Sequence, residues 1–266
     1  MIPMPMNENF PVFVISLKSD IERREKIAKL LDDVNIDFEF FDAIDYRSDK
    51  FKSIRNNASA NSHAKYVDMT EPEMACTLSH LAVYQQIIDR NLQWALILED
   101  DVHFDRRLSE VVHALSLSTS PLKQGCSYVL GGQQGTSDYQ LFGLSLRHIV
   151  KIGGIWFRKV TYKKHKVTRT CSYIVDQKYC QQALKLFSSY GFYLIDDRKI
   201  LFDNDVMDDI YFCDIVTHPL VNISNSHLEL SRVNKNKGVC VKKRNVIIAY
   251  ILSLRYRIRV FLGSFI

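Results

Sequence analysis

Several protein classes are excluded by what the chain does not contain. Its six cysteines show no CxxC spacing, which argues against a zinc ribbon or a disulfide framework and fits a reducing compartment. The first eleven residues hold no basic segment followed by an apolar one, so no export signal is expected. The apolar run from Val246 to Leu254 is nine residues long, short of the roughly 20 that cross a bilayer. No internal repeat, low-complexity linker or P-loop glycine pattern occurs. What is present is ordinary globular composition. At 266 residues, with 47% hydrophobic and 24% charged, the chain can bury a full core as one large or two small domains.

Acid is missing from the end of the chain. From Lys235 onward there are eight Lys or Arg and no Asp or Glu, more than the whole net charge of +5, which leaves −3 for the rest. Cations flanking a short apolar run, followed by Tyr256, Ile258, Val260, Phe261, Leu262 and Phe265, suit an interfacial helix on an anionic leaflet, with residues 241–266 as the contact. A terminal helix docked on the body with solvated charges fits the same pattern. The apolar and aromatic content exceeds what a phosphate-binding arm needs, so no nucleic-acid partner is expected.

Strand and helix signals alternate from the start. Pro11 to Leu17 reads as a buried strand, and Ile21, Ile27, Leu30, Leu31 and Val34 form a helical stripe. Ile36 to Phe41 reads as a second strand. Residues 45–70 are polar and weakly patterned, and are expected to form a surface excursion. Glu71-Pro72-Glu73 opens a helix, which feeds the strand beginning at Trp94. Later strands are expected near Tyr128-Val129-Leu130, Ile152, Arg158 to Arg169 and Cys171 to Val175, with a helix from about Lys178 to Ser188. Crossovers long enough to hold helices predict an α/β fold with a mostly parallel sheet.

The strand Trp94 to Leu98 runs into Glu99-Asp100-Asp101. Three adjacent carboxylates repel one another unless they are solvated, hydrogen-bonded or neutralised by a cation. The carboxyl end of a strand is also where open α/β sheets bind ligands. A second reading has Asp100 or Asp101 capping the next helix.

Ordered motifs then coincide: Val14-Ile15-Ser16-Leu17 with Glu22-Arg23-Arg24, Phe41-Asp42-Ala43-Ile44, Glu73 to His80, and Leu98-Glu99-Asp100-Asp101. Together they resemble glycosyltransferase family 25, the bacterial lipooligosaccharide transferases and their collagen galactosyltransferase relatives. The resemblance covers residues 12 to about 104, and resumes at Thr170 to Ile174, Leu194 to Asp197 and His218 to Val221. It implies a GT-A, Rossmann-like nucleotide-sugar-binding fold over residues 1–234. Residues 11–104 would bind the donor and residues 125–234 the acceptor, with a basic amphipathic tail at 235–266.

The implied reaction is inverting transfer of a hexose, galactose or glucose, from a UDP-sugar to a lipid-linked lipooligosaccharide core. Asp101 and Glu99 would ligate Mn²⁺ or Mg²⁺, for which hard oxygen ligands are suited. Glu99, Asp100, Ser16, Leu17, Arg23, Asp42, Ala43 and His80 would contact the donor, His80 being equally a buried structural histidine. Asp196 or Asp197 would be the base, the other capping the following helix. The family often has Trp where this chain has Arg198. The basic segment Arg158, Lys159, Lys163, Lys164, His165, Lys166 and Arg169 suits acceptor phosphates or an exposed hairpin. A cytoplasmic protein on the inner face of the bacterial inner membrane is the expected setting. A metal-dependent phosphoryl-transfer or hydrolase domain, and a non-catalytic membrane adaptor, are the competing readings.

Overall fold

The structure, a computed structural model, describes residues 9–61, 69–136, 142–219 and 258–265. In chain order the elements are β1 (Val12–Ser16), α1 (Ile21–Asp32), β2 (Glu39–Asp42), α2 (Asp49–Asn61), α3 (Glu71–Asp89), β3 (Trp94–Glu99), β4 (His103–Phe104), α4 (Arg107–Leu117) and β5 (Cys126–Gly131). They continue with β6 (Gly143–Ile152), β7 (Ile155–Tyr162), β8 (Ser172–Asp176), α5 (Gln177–Tyr190), α6 (Arg198–Asp203) and β9 (Asp209–Thr217). Among the described residues one sheet runs β2-β1-β3-β8-β5-β9-β7-β6, with β4 beside β9.

The α/β class expected from the sequence is the one observed. Parallel pairing holds for β2-β1-β3 and for β5-β9. Between these blocks lies β8, antiparallel to β3 on one side and β5 on the other, and the β6–β7 hairpin adds further antiparallel pairs. The described residues of the halves expected at 11–104 and 125–234 therefore share one hydrogen-bonded sheet.

Continuous apolar runs form its centre because both faces are covered. Val12 and Val14 of β1 and Trp94, Leu96 and Leu98 of β3 point to the layer of α1 and α4. Phe13, Ile15, Ala95 and Ile97 alternate to the other side, under α3 and α5. Thr70 opens α3 with a capping box, its hydroxyl accepting from Glu73 N while the Glu73 carboxylate accepts from Thr70 N.

Some elements differ from expectation. The second strand begins at Glu39 rather than Ile36, because Asn35 turns in the left-handed region (φ 54°) and tucks Ile36 against α1. Residues 45–70 are not a bare excursion: they contain α2, anchored by the fully buried Phe51 against Met69, Ala75, Leu78 and Phe192. The basic strand ends at Tyr162, where a short 3-10 turn takes over. Residues 220–257 lie outside the described residues, and with them most of the tail and its apolar run Val246 to Leu254. Residues 258–265 begin in helical conformation and dock on the hairpin, where Ser264 O accepts from Leu146 N (2.7 Å) and Gly263 O from the Thr161 hydroxyl (2.6 Å).

Candidate active site

The strand directions bring one end of every central strand to a common edge. The carboxyl ends of β1, β2, β3, β5 and β9 meet the amino end of β8 there. They surround a cleft of about 730 Å³, within the usual range for small-molecule sites. Ser16, Leu17, Arg23, Ala43, Ser79, His80, Glu99, Asp100, Asp101, Asp196 and His218 all line it. Closest approach of the backbone requires glycine at one point: Gly132 (φ 78°) follows β5 where an added Cβ would collide with Cys171 Sγ.

The three acids have separate surroundings. Asp100 is buried, accepts from the Ser16 hydroxyl (2.6 Å) and pairs with Arg23 (3.0 Å). Burial still pushes its carboxyl above the ordinary range, against the pull of Ser16 and Arg23. Glu99 accepts from the Thr170 hydroxyl (3.3 Å) and lies 3.5 Å from His80 Nε2. Burial opposes its charge, but His80 and Thr170 outweigh that and hold its carboxyl below the usual range. Asp101 is pushed up by burial and then by the Glu99 charge, against the attraction of His218 and Arg23. Helix α4 starts only at Arg107, so neither Asp100 nor Asp101 caps it, and the capping reading is excluded.

One oxygen is left over. Asp101 Oδ1 is buried and accepts no hydrogen bond, although His218 Nε2 lies 3.4 Å away. His218 Nδ1 is 2.8 Å from the Pro219 carbonyl, which can only accept, so Nδ1 carries the hydrogen. With Nδ1 so occupied, Nε2 is the nitrogen that faces the Asp101 carboxylate, and a proton or a metal ion between them would hold the pair together. Ligand atoms of Glu99, Asp101 and His218 all lie within 4.8 Å of one another. Two carboxylates and an imidazole form a donor set that fits a divalent metal ion. His218, at the end of β9, was missed as a ligand by sequence reasoning; the His218-Pro219 motif was its only signal.

His80 is almost fully buried, with Nδ1 2.7 Å from the Tyr173 hydroxyl, itself 2.7 Å from that of Tyr84. With its other nitrogen near Glu99, His80 orients that carboxylate. The carbonyls of Ser16 and Leu17 accept from Arg24, and Ser16 O also accepts from Ala43 N. Asp42 pairs with the same Arg24 (2.6 Å) and is absent from the cleft wall, which is formed instead by Ala43 to Arg47. Tyr46 and Arg47 are further cleft residues that sequence reasoning did not single out.

The two late aspartates separate. Asp197 caps α6 by accepting from Lys199 N and Ile200 N. Asp196 lines the cleft and accepts from Arg169 N at 3.1 Å. Arg198 does not form a wall: it is fully buried and donates to the carbonyls of Val167 and Arg169 (3.3 Å each), bracing the loop that carries Thr168 to Thr170 into the cleft. Within the basic segment, Lys159 and Lys164 pair with Asp209, and Arg158 turns to the carbonyls of Leu144 and Ser145. From that segment Arg169 reaches the cleft, donating to the Gly132 and Gln134 carbonyls.

An acid cluster and a histidine at the carboxyl edge of an α/β sheet stand where open sheets of this class bind their ligands. Residues 9–198 match the family model "Glycosyltransferase family 25 (LPS biosynthesis protein)", and the chain belongs to that family. It is 40% identical over 90 residues to the lipooligosaccharide biosynthesis protein lic2B of Haemophilus influenzae, covering 34% of this chain and 33% of that one. It is 33% identical over 117 residues to procollagen galactosyltransferase 1-B of Xenopus laevis, covering 40% of this chain and 19% of that one. The chain thus spans a third or less of these relatives. A glycosyltransferase involved in glycosylation of the PBCV-1 major capsid superposes with a TM-score of 0.44 at 8% identity, covering 82% of this chain and 96% of that structure.

Proposed function

We propose that this protein moves a hexose, galactose or glucose, from a UDP-sugar to a lipooligosaccharide core acceptor, with inversion at the anomeric carbon and dependence on Mn²⁺ or Mg²⁺. The observation that carries the reading is the unpartnered Asp101 oxygen facing His218 beside Glu99, at a sheet edge where a family 25 chain would seat its donor. Glu99, Asp101 and His218 would hold the ion, which when bound supplies charge neutralisation for the departing diphosphate. Arg23, already against Asp100 and Asp101, is set to meet the same diphosphate. Ala43 to Arg47 form the wall for the nucleoside, and His80 and Thr170 fix Glu99.

Asp196 is the base. The acceptor hydroxyl attacks the anomeric carbon, its proton passes to the Asp196 carboxylate, and the bond from that carbon to the diphosphate oxygen breaks, releasing UDP. Asp197 is spent on capping α6. The names of lic2B and the procollagen enzymes support galactose and a lipooligosaccharide acceptor. We further infer a site of action on the cytoplasmic face of the inner membrane, supported by the acid-free, cation-rich residues 235–266.

The test is UDP release from a panel of UDP-hexoses with Mn²⁺, with and without truncated core oligosaccharide. Acceptor-dependent release that falls at least about 100-fold in Asp196→Asn is expected. Release independent of any acceptor would instead mark a hydrolase, and no release with any donor would refute the transferase.

A further inference from the structure

Large apolar side chains left in water are few, and they are not scattered. Leu146, Ile149 and Trp156 stand out from the β6–β7 hairpin, Trp156 at 60% exposure. Ile258, Phe261, Leu262 and Phe265 stand out from the last described helical turns. These two segments hold seven of the ten exposed large apolar side chains among the described residues, which rules out chance sprinkling.

They also touch each other. Besides the two hydrogen bonds to Ser264 O and Gly263 O, Gly263 packs so closely that a Cβ there would lie 3.1 Å from Tyr162 Cβ. A Cβ on Gly143 would lie 3.3 Å from Val260 O. Pairing of Lys151 with Trp156 and of Ile149 with Arg158 puts Ile149, Lys151 and Trp156 on one face of the hairpin.

Charge decides what this surface fits. Residues 143–162 contain no Asp or Glu, nor does the chain after Lys235. Arg147, Lys151 and Arg259 are exposed beside the apolar groups. Glu110 approaches the hairpin turn at Gly154 but pairs with Arg106 (3.9 Å), and Asp214 is held by Gln134. An apolar surface with a tryptophan, flanked by exposed cations and with its two acidic neighbours among the described residues each bonded elsewhere, matches an anionic bilayer.

We propose that the β6–β7 hairpin and residues 258–265 insert together into the headgroup layer of an anionic membrane, with Trp156 at the acyl boundary. This adds a second, folded anchor to the membrane siting proposed above and does not depend on the transfer chemistry.

The two tryptophans make the test direct. Trp94 is 3% exposed against Tyr128 and reports only the fold, so a lipid response belongs to Trp156. The full chain is mixed with vesicles of phosphatidylglycerol and phosphatidylcholine whose acyl chains carry bromine. Expected are sedimentation with the vesicles and quenching of emission, both lost on phosphatidylcholine alone. Trp156→Phe should abolish the quenching, and the triple variant Ile149→Gln, Phe261→Gln, Leu262→Gln should weaken vesicle partition by about tenfold or more. Thermal unfolding with and without UDP checks that the variants remain folded, and failure of transferase activity would leave these readings intact. Vesicle binding without Trp156 quenching overturns the proposal in favour of the basic residues alone. Absence of binding, with a dimer that the triple variant dissociates, assigns the surface to a second copy instead.

Discussion

Replacing Asp101 by Asn should change the stability of the protein in opposite directions with and without metal. In the ion-free protein the Asp101 carboxylate is disfavoured, because burial and the Glu99 charge push its carboxyl up despite Arg23 at 3.6 Å. Coulomb energies at these separations are about 3–5 kcal/mol per pair at an effective dielectric of about 20, so attraction and repulsion nearly cancel and desolvation sets the sign. Removing the charge should therefore stabilise the apo fold by about 1 kcal/mol, raising Tm by about 2–4 °C. For the parent protein, Mn²⁺ with UDP at about 100 times Kd adds about 2.7 kcal/mol, or about 5–11 °C. That increment should vanish in Asp101→Asn, since the carboxylate whose buried oxygen accepts no hydrogen bond, the proposed ligand atom, is replaced by a neutral amide. Differential scanning calorimetry in chelator, and then in Mn²⁺ plus UDP, measures both. A variant less stable than the parent in chelator, or one that keeps the metal-dependent increment, refutes the reasoning.

Asp197→Asn should keep both transfer and stability, because Asn caps helices as well as Asp; Asp197→Ala should cost about 1 kcal/mol in chemical denaturation while leaving acceptor-dependent UDP release in place. Asp209 joins β9 to Lys159 of β7 and to Lys164. Burial pushes its carboxyl up, but the two lysine contacts outweigh burial and hold it below the usual range. Its contribution is therefore present above the ordinary carboxylate range and lost as pH falls through the depressed value. Asp209→Asn should lower urea stability by about 1–2 kcal/mol at neutral pH, and that gap should close as the medium is acidified below about pH 4.

Much of residues 11–104 was legible because the signals there are local. The runs of β1 and β3, the stripe of α1 and the Glu71-Pro72-Glu73 start of α3 each need only neighbouring residues to be read. Helix α2 was not, since its periodic signal rests on Phe51 and Ile54, and the partners of Phe51 come from three other segments. The acid cluster announced itself, whereas Thr170, 71 residues beyond Glu99, and His218 join it only through the placement of β8 and β9. Adjacent Asp196 and Asp197 are equivalent on paper; the entry of α6 separates them by turning one onto backbone amides and the other into the cleft.

The position of β8 carries a last consequence. Because it is bonded along both edges, the two parallel blocks cannot rock against each other as jaws hinged at a linker would. Under the proposed function, adjustment to an incoming sugar would fall to the connections that line the cleft after β2 and after the 3-10 turn, while the strands behind them stay fixed. On that reading, acceptor preference would drift through those connections without disturbing the sheet behind them.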